Sequence, residues 1–306
     1  MTGDVAGGST GARRPYVDRP VTDLDGARRA ARETAEHWDL PEPTLLRRGM
    51  NAIFATDDHV LRVGMPTAPA TASIELARVL AEWSIRIPRP ARDDVAVHGP
   101  FSVTCWERIV PTGEPVDWVA VGTMVNAVHR LDPAELPDTY PAPSPVTFPW
   151  WNFEAMLDDV GDDIDDRARA GLDATIERHR GWHRFEERVP CHGDVHPGNV
   201  LMAADGPVLL DWDLLCIAAP GWDHAPLMTI SERWGGIEGL YEAFATGYGH
   251  SFRGDPEVEG YAELRLVAAT LLRLRAARHD PGARDEAERR LAYWRGDPDA
   301  PTWSAQ

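Results

Sequence analysis

The stretch CHGDVHPGN at residues 191–199, followed by LLDWD at residues 209–213, carries the most information about this sequence. Within the first segment a histidine, an aspartate and an asparagine stand at the spacing H-x-D-x-x-x-x-N. In the second segment an apolar run typical of a short β-strand ends at an aspartate. Two carboxylates, an amide and an imidazole are therefore predicted to meet in one loop-rich region.

The spacing of His192, Asp194 and Asn199 is that of the catalytic loop of kinases. Phosphoryl transfer moves negative charge, and divalent metal ions offset that charge by bridging phosphate oxygens. Magnesium prefers hard oxygen ligands, which the carboxamide of Asn199 and the carboxylate of Asp211 can supply. A separate carboxylate, that of Asp194, can orient an acceptor hydroxyl and take its proton. The pattern favours phosphoryl transfer.

These two segments resemble the aminoglycoside phosphotransferase family, which has the protein-kinase-like fold that choline kinases and related small-molecule kinases share. The family motif has the form HGDxHxxN, followed by a strand that ends in DWD or DxD, and this sequence has HGDVHPGN and LLDWD. The resemblance implies that Asp194 is the catalytic base and that Asn199 and Asp211 are magnesium ligands. It also implies structural roles for His192, which organises the loop backbone, and for Asp223 of the PGWDHA segment, which braces the loop.

The resemblance extends into the N-terminal part of the chain with fewer matching residues. GMNAIF at residues 49–54 resembles the nucleotide loop of the family, where Asn51 is expected to contact the nucleotide. HVLRV at residues 59–63 resembles the strand that carries a basic residue on the phosphates. The protein contains no lysine, so Arg62 must fill that position, and arginine can direct two donors onto phosphate oxygens.

Three further residues complete the nucleotide site that the resemblance implies. Glu75, thirteen residues after Arg62 and within an amphipathic helix, is the expected counter-ion of that arginine. WERI at residues 106–109 is the expected hinge, where Glu107 and Ile109 contact the base through their backbone. The resemblance thus implies ATP or GTP as co-substrate and Mg²⁺ as cofactor.

The composition excludes several classes of partner. The 306 residues include 31 basic and 49 acidic side chains, for a net charge of −18, which disfavours binding to nucleic acid or to an anionic membrane surface. No run approaches the length of a membrane-spanning segment. The cysteines, Cys105, Cys191 and Cys216, are too few and too far apart for a disulfide framework, which favours a cytoplasmic location.

The order of the predicted elements indicates an α+β fold with two lobes, a small β-rich N-terminal lobe and a larger, mainly helical C-terminal lobe. Residues 1–20 are predicted to be a flexible leader, residues 21–110 the nucleotide-binding lobe, and residues 111–306 the catalytic and acceptor-binding lobe. Within the second lobe, residues 167–187 predict one long polar helix and residues 189–200 predict a loop.

The sequence leaves the acceptor open. By resemblance the leading acceptor is an aminoglycoside or a related antibiotic, and the alternative is an amino alcohol or a sugar. Glu232 is expected to contact the acceptor, because related enzymes place acceptor-binding side chains just after the Asp223 segment. Asp158 begins an acidic run that could receive a cationic acceptor, although such runs are usually solvated. The chain could act as a monomer or as a homodimer.

Two other functions fit parts of the pattern. His192, Asp194 and His196 form H-x-D-x-H, a set that could ligate zinc or manganese in a hydrolase, but the downstream asparagine and the lobe order would then be coincidental. The other alternative is a nucleotide-binding relative without catalysis. The intact set of aspartate, asparagine and aspartate argues against it.

Overall fold

The N-terminal lobe contains a five-stranded antiparallel sheet. The computed structural model describes residues 19–304, so the predicted leader lies outside the described residues except for its last two positions. The strands follow the spatial order β1-β2-β3-β5-β4. They are β1 (Thr44–Arg48), β2 (Ala52–Ala55), β3 (His59–Gly64), β4 (Ala96–His98) and β5 (Phe101–Glu107).

Two helices accompany this sheet and bury different faces. Helix α1 (Leu24–His37) begins at Asp23, whose carboxylate accepts a hydrogen bond from the backbone N–H of Gly26 at 2.8 Å. Its alanine-rich face packs on the sheet in a core of its own. Helix α2 (Thr71–Glu82) instead adds its apolar face to the core of the second lobe. Helix α2 therefore joins the two lobes through packing.

The C-terminal lobe is mainly helical and surrounds one continuous apolar core. Its helices are α3 (Trp118–His129), α4 (Phe153–Val160), α5 (Asp166–Arg178), α6 (Gly221–Met228), α7 (Ile230–Arg233), α8 (Leu240–Tyr248), α9 (Pro256–Ala277) and α10 (Arg284–Trp294). Among residues 19–304, none of the helices is both long enough and apolar enough to cross a membrane. The predicted two-lobed α+β fold is confirmed.

Two short antiparallel pairs interrupt the helices and position the motif. Strand β6 (Val189–Cys191) pairs with β9 (Cys216–Ala218), and β7 (Val200–Ala203) pairs with β8 (Gly206–Leu209). The HGDVHPGN segment connects β6 to β7, and the LLDWD segment leads out of β8. Both segments therefore emerge at neighbouring strand ends.

Two predictions for this lobe are wrong. The helix predicted over residues 167–187 ends at Arg178, because the chain then turns so that Trp182 stacks on the indole of Trp222 with 5.4 Å between ring centroids. The loop predicted over residues 189–200 contains the whole of β6, which pairs with a strand that the sequence pattern did not reveal. Tertiary partners decide both outcomes, and local periodicity does not report them.

Candidate active site

A cavity of about 630 Å³ lies between the two lobes. Strands of the N-terminal sheet line one side, and the segment that follows β8 lines the other. The cavity is lined by five of the predicted site residues, which are Asn51, Arg62, Glu107, Ile109 and Asp211. The structure thus brings together most of the predicted nucleotide site and one of the predicted metal ligands.

Arg62 projects from β3 across the cavity and forms an ion pair with Asp213 of the opposite lobe. Both side chains are largely buried, with 17% and 13% of their surface exposed. The predicted counter-ion Glu75 accepts a hydrogen bond from the hydroxyl of Thr139. The sequence pattern alone does not pair Asp213 with Arg62, although the position of Asp213 two residues after Asp211 in DWD is a usable signal.

Asn199 and Asp211 meet because the β7–β8 pair brings their strand ends side by side. Asn199 directly precedes β7, and the backbone N–H of Leu210 donates to the carbonyl of Asn199 at 2.8 Å. Asp211 has a left-handed backbone with φ of 61°, which turns the chain sharply at the end of the strand. The hydroxyl of Tyr140 supports this turn by donating to the carbonyl of Trp212 at 2.7 Å.

Asp194 is held by side chains on both of its carboxylate oxygens. Oδ2 accepts a hydrogen bond from the amide of Asn199 at 3.2 Å and lies 3.5 Å from Nε2 of His196, whereas Oδ1 lies 3.7 Å from a guanidinium nitrogen of Arg265. Burial alone would raise the pKa of Asp194, but His196 and Arg265 outweigh it and lower that pKa to about 2. The carboxylate is therefore ionised at neutral pH, as a proton acceptor must be.

The backbone of the loop that carries Asp194 is fixed by a buried carboxylate from α6. Asp223 is fully buried and accepts hydrogen bonds from the backbone N–H groups of His192 and Gly193 at 2.8 and 2.7 Å. His129 of α3 donates to the same carboxylate at 3.1 Å, and its other ring nitrogen lies 2.9 Å from the hydroxyl of Tyr248. These contacts are those expected of a residue that braces the loop.

His192 uses both ring nitrogens inside the loop. Its Nε2 donates to the carbonyl of Leu210 at 2.8 Å, and its Nδ1 accepts from the backbone N–H of Asp194 at 3.2 Å. Burial lowers the pKa of His192, which keeps the ring neutral in this arrangement. Because neither nitrogen is available for a metal ion, the H-x-D-x-H ligand set of the hydrolase alternative is not formed.

The donor set fits the magnesium ion that the family resemblance implies. Asn199 is 97% buried and directs its amide nitrogen to the backbone and side chain of Asp194, which leaves its Oδ1 as the free oxygen. Among residues 19–304, no group donates a hydrogen bond to this oxygen or to the carboxylate of Asp211. A carboxamide oxygen and a carboxylate are ligands that Mg²⁺ accepts.

Arg265 of α9 is a residue of this site that the sequence does not predict. It contacts both Asp194 and the carbonyl of Gly193, the latter at 2.6 Å. Nothing in the local sequence distinguishes it from the other arginines of α9, since its role depends on which face of that helix meets the loop. Only the packing of α9 against the motif identifies it.

The predicted acceptor residues lie outside the cavity. Glu232 of α7 is exposed, and its carboxylate lies 4.0 Å from the guanidinium of Arg253. Asp158 is exposed on α4, and the neighbouring acids Asp159 and Asp163 pair with Arg278 of this chain. Much of the acidic run is therefore engaged within the protein.

A sequence model of the phosphotransferase enzyme family matches residues 51–267, which is more than two thirds of the chain. A search of curated protein sequences finds no match. Among solved structures, an amicoumacin kinase in complex with AMP-PNP, Ca²⁺ and Ami is similar with a TM-score of 0.66 at 15% identity, over 92% of this chain and 98% of that chain.

Two further solved structures share the fold. A variant of aminoglycoside 2'-phosphotransferase-IIIa in complex with GDP has a TM-score of 0.65 at 14% identity, over 88% of this chain and 96% of that chain. A choline/ethanolamine kinase family protein from Mesorhizobium loti has a TM-score of 0.59 at 19% identity, over 90% and 94% of the two chains. The family match confirms the predicted resemblance and the predicted enzyme class of small-molecule phosphotransferase; the chain belongs to the phosphotransferase enzyme family.

Proposed function

We propose that this protein transfers the γ-phosphoryl group of ATP or GTP to a hydroxyl group of a small molecule, with Mg²⁺ as the metal. The observation that carries the proposal is a chain of contacts: Asp194 is hydrogen-bonded to Asn199, Asn199 is paired with the strand end that precedes Asp211, and Asp211 lines the cavity together with Arg62 of the other lobe. One hydrogen bond joins the side chains of Asn199 and Asp194, and another joins the backbone of Asn199 to Leu210, the residue directly before Asp211.

The cavity suits a nucleoside triphosphate. Its volume lies in the range of small-molecule sites, and its apolar part adjoins the segment containing Glu107 and Ile109, where the base would lie. Asn51 and Arg62 would contact the phosphates. A magnesium ion held by Asn199 and Asp211 would offset the negative charge of the phosphates.

Transfer is proposed as a single in-line displacement. The acceptor oxygen forms a bond to the γ-phosphorus while the bond from that phosphorus to the β–γ bridging oxygen breaks, and the electron pair leaves with the nucleoside diphosphate. Asp194 orients the acceptor hydroxyl and receives its proton. Arg62 supplies a fixed positive charge beside the phosphates.

The leading acceptor class is an aminoglycoside or a related antibiotic. Similarity to an amicoumacin kinase and to an aminoglycoside phosphotransferase supports this class, and the net charge of −18 favours a cationic acceptor. Similarity to a choline/ethanolamine kinase family protein keeps an amino alcohol as the second candidate. The roles of Glu75, Glu232 and Asp158, a cytoplasmic location, a monomeric or homodimeric state and the lack of nucleic-acid partners stay predictions from the sequence.

A nucleotide-consumption screen tests the proposal. The purified protein is incubated with Mg²⁺ and either ATP or GTP against aminoglycosides, nucleoside antibiotics, amino sugars and choline-like alcohols, and products are identified by mass. We expect one acceptor class to gain a single phosphoryl group, and expect Asp211→Asn to raise the Mg²⁺ concentration needed. Full activity of Asp211→Asn without a changed Mg²⁺ requirement would exclude the assigned metal site.

A further inference from the structure

The side chain of Arg265 extends from α9 to the loop that carries Asp194. Its Nη2 atom donates to the carbonyl of Gly193 at 2.6 Å and to the carbonyl of Trp222 at 3.3 Å. Its Nη1 atom lies 3.7 Å from Oδ1 of Asp194. One guanidinium group therefore contacts the proposed base and the backbone of the residue before it.

Two indole rings contact this guanidinium. Its central carbon lies 4.6 Å from the ring centroid of Trp222 and 5.4 Å from that of Trp151, and only 12% of the side chain is exposed. Cation–aromatic contacts of this kind restrict both position and orientation. Arg275 on the same helix differs, because 65% of its side chain is exposed and it pairs with Asp159 at the surface.

Arg265 is largely buried, and burial of a charged side chain costs free energy unless an opposite charge or hydrogen bonds compensate it. Burial lowers the pKa of Arg265, and its Nε is buried without a hydrogen-bond partner among residues 19–304. Asp194 is the acid with which its guanidinium forms an ion pair. An apolar residue could pack against the same two indoles without these costs, so the retained charge points to a role at Asp194.

The contacts on Asp194 divide between its two oxygens. Asn199 and His196 are the groups that approach Oδ2, whereas the contact that the structure gives to Oδ1 is that of Arg265. With a hydrogen bond on Oδ2 and a buried cation 3.7 Å from Oδ1, rotation of the carboxylate about its Cβ–Cγ bond is restrained. Without Arg265, one oxygen would lose its restraint.

Resting on the proposed function, we propose that Arg265 is a positioning residue for phosphoryl transfer, which holds the Asp194 carboxylate through Oδ1 and the loop backbone through the Gly193 carbonyl. Its action is through Asp194, because its contacts are with that carboxylate and with backbone carbonyls. Misplacement of a reacting group by about 1 Å costs on the order of 100-fold in rate. Loss of Arg265 should therefore lower turnover far more than it changes nucleotide binding.

The test compares Arg265→Met with the matched control Arg275→Met, since methionine keeps an extended apolar stem against the indoles and removes the charge. We expect kcat of Arg265→Met to fall on the order of 100-fold with the KM for nucleotide changed by less than about threefold. Arg265→Lys should recover part of the loss, and Arg275→Met should behave as wild type. A kcat of Arg265→Met equal to that of the control would overturn the proposal.

A double-mutant cycle separates positioning from general support of the fold. In an Asp194→Asn background, Arg265→Met should cause little further loss of kcat, because the group through which it acts has been removed. A residue that only stabilises the lobe would give additive losses in kcat and a matching fall in melting temperature. Additive losses would contradict the role assigned here.

Amide hydrogen exchange measures the positioning without any acceptor. The backbone N–H of Gly193 and of Asp194 should exchange faster in Arg265→Met than in Arg275→Met, by about tenfold or more. Unchanged exchange at these two amides would refute the inference whatever the acceptor screen finds. Failure of the proposed function has a different signature, namely no phosphorylated product from the wild-type protein while the exchange difference persists.

Discussion

The Oδ1 atom of Asp223 accepts a hydrogen bond from the backbone N–H of Gly193 at 2.7 Å, so α6 directly sets the backbone of the loop that carries Asp194. The second oxygen of the same carboxylate binds the N–H of His192 and the ring of His129. A fully buried carboxylate thus satisfies three donors from two other segments. The conformation of the loop depends on this group, which lies about thirty residues away in sequence.

Asp223→Asn should therefore destabilise the protein and impair turnover together. The amide keeps the shape of the carboxyl group but loses the charge and turns an NH₂ group toward N–H donors. Removing one partner of such a buried set costs about 3–5 kcal/mol in the free energy of unfolding. Urea unfolding measures this loss. Asp173→Asn is the surface control, because Asp173 forms a solvent-exposed ion pair with Arg169. Equal stability of the two variants would contradict the bracing role.

Gly193→Ala tests the space around the loop. Gly193 has a φ of +88°, and an added Cβ would lie 2.0 Å from the carbonyl oxygen of Leu214. Gly249 has a similar φ of +90° but open space around it, so Gly249→Ala isolates the backbone strain, which is about 1–2 kcal/mol. Thermal unfolding and turnover should both suffer clearly more in Gly193→Ala. Equal losses of stability and turnover in the two variants would mean that the loop accommodates the added Cβ near Leu214 without an energetic penalty.

Much of the fold follows from the sequence, because its local patterns agree with its tertiary structure. The β-rich N-terminal lobe, the amphipathic helix that contains Glu75 and the mainly helical second lobe are predicted from the sequence and are observed. Helix α6 does not follow, since Pro226 lies inside it and its sequence has no clear apolar stripe. The short strands β6 and β9 also escape prediction, because only their pairing distinguishes them from loops.

The site residues likewise fall into those that the sequence predicts and those that it does not. Asp194, Asn199 and Asp211 follow from a spacing within one loop and the strand after it, which local geometry brings together. Arg265 does not, since it reaches the loop through the packing of α9. The ion pair between Arg62 and Asp213 likewise requires the two lobes to be placed against each other. Contacts between distant segments are what a single sequence does not report.

Arg62→Ala should weaken binding of the magnesium–nucleotide complex. The variant removes a positive charge that lines the cavity and that the proposed function places beside the phosphates, so we expect Kd to rise on the order of 10- to 100-fold. Arg62→Lys should lose less, because it keeps the charge but not the two-pronged donor geometry. Calorimetric titration with a non-hydrolysable ATP or GTP analogue measures the effect. Arg32→Ala, which removes a surface partner of Glu42, is the control. An unchanged Kd for Arg62→Ala would remove Arg62 from the nucleotide site.

His224 should make the protein less stable in acid. Burial, with the nearby charge of His129, lowers the pKa of His224 in the folded state to about 3, whereas an unfolded chain has the ordinary value near 6.5. Between these values the unfolded state binds a proton that the folded state does not, so the free energy of unfolding falls as pH falls below about 6.5. The loss reaches at most about 1.4 kcal/mol per pH unit and levels off below the folded pKa.

The pH dependence of urea unfolding for His224→Gln measures this contribution. Between pH 6.5 and pH 4 the free energy of unfolding of the variant should fall less steeply with pH than that of the wild type. The difference in slope should correspond to up to one bound proton. His279→Gln is the matched control, since His279 is exposed. A slope in His224→Gln equal to that of the wild type would show that this histidine does not contribute.

The central claim, that Asp194 is the base of a phosphoryl transfer, is tested most directly by the turnover of Asp194→Asn beside its nucleotide affinity. The asparagine keeps the hydrogen-bonding shape but cannot accept the acceptor's proton. We predict that kcat falls by roughly 100- to 10,000-fold, while the Kd for the magnesium–nucleotide complex stays within about threefold of the wild-type value. A kcat within a few-fold of the wild type would contradict the account.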